Sequence, residues 1–255
     1  MTKLSGVIIT LNEEKNILRC IHSLQKVCDE IIVLDSYSTD RTEELCQQEN
    51  NVTFLQRTFD GYGQQKRAAI THCKHSFILS LDADECLSDE LVQEILRIKE
   101  NPTYKLYSIP RKTNYCGHWV KHGGWYPDRK IRLWHKEFGA WTSSQVHEEV
   151  VPLSENYEIK KMNYDILHFG ISNQNEHYQT IEEYSNIQAA EMLKLGKSYS
   201  VLKKFLSPVF KFIEIYFLKL GFLDGLTGLT IARISAYANY LKYAKLEKLS
   251  SQNQI

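Results

Sequence analysis

Two carboxylates, Asp82 and Asp84, stand at i and i+2 directly after the apolar run Phe77-Ile78-Leu79-Ser80-Leu81. Such a pair can bind a hard divalent cation, Mg2+ or Mn2+, through oxygen while leaving positions free for phosphate oxygens and water. It also suits a haloacid-dehalogenase-like phosphohydrolase with Asp82 as nucleophile and Asp84 as acid. Two other apolar runs close on polar residues: Thr10-Leu11-Asn12-Glu13 after Leu4–Ile9, and Asp35-Ser36 after Ile31–Leu34. Lys66 and Arg67 can add positive charge nearby or simply form a solvated helix face. Further along, His147 and Glu148 supply an imidazole and a carboxylate, either of which can take a proton from an attacking hydroxyl. They are not a zinc-protease motif, because Val151 stands where HExxH needs its second His. His168, closing Ile166-Leu167, can be a metal or diphosphate ligand or only a hydrogen-bonded strand end.

The elements that must position these groups follow from periodicity. Short apolar runs alternate with helical segments over the first hundred residues, the pattern of a parallel sheet with crossover helices. Strands are predicted at Leu4–Thr10, Ile31–Asp35, Val52–Gln56 and Phe77–Leu81, with helices from about Glu13, after Ser38-Thr39-Asp40, over Gly63–Cys73 and after Ser88. Asn12 and Ser88 are the expected caps. In open α/β sheets ligands bind beyond the carboxyl ends of the strands, which places Thr10, Asn12, Asp35, Asp82 and Asp84 on one rim. From Tyr104 to about His168 the periodicity shortens, and irregular β structure with loops over the sheet edge is expected. All four tryptophans fall there; Trp119 and Trp125, beside Gly117, Gly123, Gly124 and Arg129, are candidates for an acceptor-side lid. Trp134 and Trp141 serve equally well as core. The division expected is a catalytic α/β domain over residues 1–175 and a helical region over 176–255.

Lys+Arg and Asp+Glu both total 31, so net charge gives no reason to expect a nucleic-acid partner. Lys194 to Lys248, however, holds ten basic residues against three acidic ones. Around Phe205–Leu223 apolar residues surround Lys211, Glu214 and Lys219, which suits an amphipathic helix on an anionic membrane surface or one packed on the rest of the protein. No run reaches about 18 uncharged apolar residues, so a spanning helix is not expected. Six cysteines without CxxC spacing, and no secretory pattern after Met1, favour a reduced cytoplasmic setting.

Four segments in order, LSGVIITLNE (4–13), IIVLDSYSTD (31–40), GYGQQKRAAI (61–70) and ILSLDADE (78–85), resemble the signatures of glycosyltransferase family 2. The resemblance implies the GT-A fold: a Rossmann-like, mostly parallel sheet flanked by helices, here with a C-terminal amphipathic helical extension. It implies an inverting enzyme with a UDP-sugar donor held by Thr10, Leu11, Asn12, Glu13, Asp35, Lys66, Asp82 and Ala83. A divalent metal would sit on Asp84 and His168, with Glu148 as base and His147 beside it. Many members carry a second acid where Ser36 stands, so contacts from that position are set aside.

The segment from Gly221 to Gly228 resembles the tail of bacterial lipopolysaccharide-core glucosyltransferases within that family. This implies UDP-glucose as donor and a lipid-linked glycan as acceptor, an inner-core heptose on lipid A. The enzyme would lie peripherally on the cytoplasmic face of the inner membrane. A phosphohydrolase leaves the Asn12-Glu13 and Asp35 clusters unexplained, and a non-catalytic membrane-surface scaffold leaves the whole acidic rim without a purpose.

Overall fold

The computed structural model describes residues 1–142, 148–196 and 200–252. The chain forms two compact units, one of Met1–Lys112 with Asp128–Phe169, the other of Thr113–Pro127 with Gly170–Ile255.

The chain begins with β1 (Leu4–Thr10), α1 (Ile17–Gln25), β2 (Glu30–Asp35), α2 (Thr42–Gln47), β3 (Val52–Gln56), α3 (Tyr62–Thr71) and β4 (Phe77–Asp82). Its four strands are parallel in the order β3-β2-β1-β4. Both faces of these strands are covered, which explains their continuous apolar runs. On one face Leu4, Ile8, Leu79 and Leu81 pack with Ile17, Ile21 and Leu24 of α1. On the other, Val7, Ile32, Leu34 and Ile78 pack with Ala69 of α3 and with Trp134 and Trp141.

Next come β5 (Glu85–Leu87), α4 (Asp89–Glu100), β6 (Leu106–Tyr115), β7 (His118–Trp119), β8 (Asp128–His135), β9 (Gly139–Trp141), β10 (Val150–Pro152), β11 (Ile159–Lys161) and β12 (Ile166–Ile171). Beyond β4 the order runs β8-β6-β12-β5, and the pairs β4/β8, β6/β8 and β5/β12 are antiparallel. Half the sheet is thus antiparallel. Instead of loops over an edge, β8 lies inside the sheet against β4. Lys130-Ile131-Arg132-Leu133 does alternate polar with apolar, as a half-buried strand does, although Arg132 is itself buried.

Of the two expected caps, one forms and one does not. Ser88 caps α4, its Oγ accepting from the Leu91 N–H at 3.2 Å. Asn12 caps nothing: α1 begins only at Ile17, and Asn12 sits in left-handed backbone at φ 55°. Its side chain reaches instead to the loop after β2, accepting from the Thr39 N–H at 2.8 Å.

In the second unit, β7 is followed by α5 (Gln174–Lys194), α6 (Val201–Ile213), a π turn at Glu214–Leu218, a 3-10 turn at Gly221–Asp224 and α7 (Gly225–Gln252). Tyr115, Val120, Ile215, Ile231 and Ala232 form its core. Buried Asp224 accepts from the backbone N–H groups of Lys121 and His122 at 3.1 and 2.8 Å. Gly228 allows the start of α7 to meet the 3-10 turn, since a Cβ there would lie 1.8 Å from the Gly221 carbonyl oxygen. By contrast α6 buries none of its residues, and Leu202, Phe205, Val209 and Phe210 are all exposed. Among the described residues no helix is long and apolar enough to cross a membrane.

Leu79 is fully buried at the centre of β4. Leu79→Ala should lower unfolding free energy by about 2–5 kcal/mol. Urea denaturation checks this; an unchanged midpoint would show that β4 does not carry the core.

Candidate active site

The rim forms where β1, β2 and β4 end side by side, Thr10 opposite Asp35 in one register and Ile9 opposite Asp82 in the other. Asp35 is fully buried and accepts from the Ser38 N–H at 2.8 Å and from the Ser38 hydroxyl. The same hydroxyl oxygen accepts from the Asn12 N–H at 2.8 Å, and the Glu13 N–H donates to Thr42 Oγ1 at 2.9 Å. The loops after β1 and β2 are therefore stitched together. Burial raises the Glu13 carboxyl above its ordinary value, partly offset by a hydrogen bond from Asn16. Leu11 lies exposed on this rim, whereas Thr10 and Ala83 are buried.

The acidic pair at the end of β4 divides its work. Asp82 lies 2.8 Å from Lys66 Nζ and 3.0 Å from Arg132 Nη2. Burial would raise its pKa, but Lys66 and Arg132 hold the carboxyl far below the usual range. Asp84, in the turn between β4 and β5, accepts instead from His168 Nε2 at 3.1 Å. For His168, burial would lower the pKa, and the Asp84 hydrogen bond carries it above the ordinary imidazole value.

Lys66 comes from α3 with a side chain only 2% exposed, and its ammonium also lies 3.0 Å from Glu148 Oε1. It rests 4.5 Å above the Trp141 ring centroid. A buried ammonium is tolerable only when paired, and here two carboxylates from distant segments pair it. Arg67, next in the helix, turns away and donates to the Trp141 carbonyl at 2.8 Å.

Behind Asp82 lies a second tier that sequence reading did not single out. Glu85 is wholly buried and receives Arg111 Nη1 and Arg132 Nη2, both at 3.2 Å. Arg111 also meets Asp128 at 2.7 Å. The available signal was charge at alternate positions of one strand, Asp128, Lys130 and Arg132, beside a third acid after Asp84.

The remaining sequence candidates are dispersed. Arg129 is exposed and donates to the Met162 carbonyl at 2.9 Å. Trp119 and Trp125 belong to the second unit, where Trp125 packs edge-on against Tyr115 and His177. Trp134 and Trp141 are core. His147 lies outside the described residues.

Among the described residues no three His, Cys, Asp or Glu side chains form a ready metal cage. Asp84 and His168 nonetheless fit a divalent cation of the Mg2+ or Mn2+ kind. Such ions take one or two protein ligands and complete their shell with substrate phosphates and water. Asp82 is committed to its two cations. All six cysteines are unpaired, five of them buried.

Comparison with known proteins shows the family and the fold. Residues 5–150 match the model of glycosyl transferase family 2. The chain is 31% identical over 231 residues to the lipopolysaccharide core biosynthesis glycosyltransferase LpsC of Rhizobium meliloti, covering 88% of this chain and 82% of that protein. It is 31% identical over 235 residues to an uncharacterised glycosyltransferase of Rickettsia typhi, covering 88% and 80%. In fold it is similar to S. aureus TarS, with a TM-score of 0.51 at 16% identity, over 97% of this chain and 55% of that one. A TarS 1–349 structure in complex with UDP-GlcNAc aligns at 0.50 and 15% identity, over 99% and 92%. The fold is GT-A with a C-terminal helical extension. These relationships displace the phosphohydrolase and scaffold readings: the chain is a glycosyltransferase, and it belongs to glycosyltransferase family 2.

Proposed function

We propose that this enzyme is an inverting, metal-dependent hexosyltransferase that moves glucose from UDP-glucose to a lipid-linked glycan, the heptose inner core of lipopolysaccharide. The observation that carries the mechanism is the Lys66 ammonium between Asp82 and Glu148, at 2.8 and 3.0 Å. It sets the proposed base against the end of β4, where donor sugar and diphosphate are expected to meet.

In this reading the Thr10–Glu13 loop and Asp35 hold uracil and ribose, and Asp82 and Ala83 flank the ribose and sugar. Asp84 and His168 would hold the cation, which when bound stabilises the negative charge developing on the diphosphate. Glu148 accepts the proton of the acceptor hydroxyl as its oxygen forms the bond to the anomeric carbon. The electron pair of the broken bond leaves on UDP, opposite the attacking oxygen. Lys66, 3.0 Å from Glu148 Oε1, holds that carboxylate in place.

Likeness to LpsC supports the lipopolysaccharide acceptor, and the UDP-GlcNAc complex of TarS supports a uridine nucleotide. The bare apolar face of α6, with Lys203 and Lys204 on the same helix, supports attachment to the anionic cytoplasmic face of the inner membrane. Trp119, Trp125 and Arg129 remain proposed acceptor or lid residues, and His147 a proposed partner of the base.

Calorimetric titration of UDP should show binding that depends on Mg2+ or Mn2+ and is lost in Asp84→Ala; metal-independent binding of unchanged strength would remove Asp84 and His168 as ligands. Glu148→Gln should keep UDP affinity and lose about 100-fold or more in kcat. Near-normal turnover in that variant would exclude Glu148 as the base. Sedimentation with vesicles should succeed with phosphatidylglycerol, fail with phosphatidylcholine alone, and be lost when Phe205 and Phe210 are both changed to Glu. Undiminished sedimentation of that variant would move the membrane contact elsewhere.

A further inference from the structure

Glu85 is 0% exposed, so no ligand can touch its carboxylate, and whatever it does for the site it does through other groups. It opens β5, one residue past the Asp82-Ala83-Asp84 turn, and its side chain folds back on that turn. Glu85 Oε2 accepts from the Asp82 N–H at 3.0 Å. Its Oε1 accepts from Arg111 Nη1 of β6 and Arg132 Nη2 of β8, both at 3.2 Å. Hydrogen bonds to an ionised acceptor are roughly twice as strong as neutral ones, and a buried carboxylate is tolerated only where such bonds offset its desolvation.

The other side of the turn is held by β12. Glu85 stands opposite His168 in the antiparallel ladder, and the Asp84 carbonyl accepts from the Phe169 N–H at 2.9 Å. The Asp82 carbonyl accepts from Cys20 Sγ at 3.5 Å. These bonds fix the backbone on which the Asp84 carboxylate lies 3.1 Å from His168 Nε2. A cation shared by one carboxylate and one imidazole is sensitive to their placement, because Mg2+ demands near-ideal octahedral geometry at about 2.0–2.1 Å.

We propose that Glu85 is a positioning residue for the divalent-cation site, holding the turn through the Asp82 N–H and the two guanidinium groups so that Asp84 is set against His168. The inference rests on the metal reading above and adds to it the group that keeps the two ligands in register. Glu85→Gln preserves the shape but turns one acceptor oxygen into an NH2 donor, which then faces either the Asp82 N–H or the guanidinium pair.

The test is the calorimetric dissociation constant of UDP in the full chain, measured without metal and with saturating Mn2+. The ratio of the two reports how strongly cation and nucleotide reinforce each other's binding, and a partly unfolded sample lowers the stoichiometry rather than the ratio. Glu85→Gln should reduce that ratio about tenfold or more. Metal-free UDP affinity should stay within about twofold, because the rim of Thr10, Asn12 and Asp35 is untouched. Ile95→Ala, which opens a cavity in the core beneath α4, should lower the melting temperature and keep the wild-type ratio. If Glu85→Gln does not fold, Glu85→Asp, which keeps the charge but shortens the reach to the Asp82 N–H, replaces it with the same expected fall. An unchanged ratio in the Glu85 variant, or an equal fall in Ile95→Ala, overturns the positioning role. A wild-type ratio near one refutes the metal reading itself, a result that failure of the Glu85 role alone cannot produce.

Discussion

A buried ammonium is among the costliest groups a protein can carry, and the first unit is arranged around one. Lys66 must find compensation inside the protein, and it does so between Asp82, Glu148 and the face of Trp141. This constrains α3 to lie across the carboxyl end of β4 and the segment before β10 to return to it. Arg132 extends the constraint, because it reaches Asp82 and Glu85 only if β8 is the neighbour of β4. The site is therefore not an ornament on a finished fold. Removing one partner would leave a buried charge unpaired, so the ionic network and the strand order support each other.

The rim where β1 and β2 end obeys a different constraint. Backbone groups that leave a sheet must be satisfied, and here the two loops satisfy each other through Asn12, Ser38, Asp35 and Thr42. Two non-glycine residues, Asn12 and Tyr37, take left-handed backbone there, at φ 55° and 64°. Such conformations cost energy and persist only where surrounding bonds over-determine them. A rim made rigid in this way loses little further freedom when a ligand arrives, which is how preorganisation raises affinity.

The second unit balances apolar surface in another manner. Its core gathers Tyr115, Val120 and the inner faces around Ile215 and Ile231, and Asp224 ties the loop at Lys121 and His122 to the turn before α7. Yet α6 keeps Leu202, Phe205, Leu206 and Phe210 outside, while only Phe212 at its end packs on that core. Exposed apolar side chains gathered on one helix are what the proposed membrane contact would use.

Much of the site was legible in the sequence wherever one local rule decided it. Asp35, Asp82 and Asp84 could be found because a parallel strand buried on both faces writes itself as an apolar run, and the residue closing that run stands at the ligand-binding edge. Ser88 could be found because a cap lies beside its helix. The misreadings share one cause. Asn12 has the composition of a cap, but its partner is a backbone amide 27 positions away. Lys66 and Glu148 are 82 residues apart, Arg132 and Asp82 are 50 apart, and nothing local declares either pair. In β8, Lys130 and Arg132 alternate with Ile131 and Leu133 like the solvated face of a strand, yet Arg132 is buried against carboxylates that only the fold brings to it. Sequence alone determined the chemistry available and the edge on which it would stand, because both follow from nearest neighbours along the chain. Only tertiary structure decided which carboxylate is held by cations and which stays beside His168, because burial and long-range pairing, not residue type, set the state of a charge.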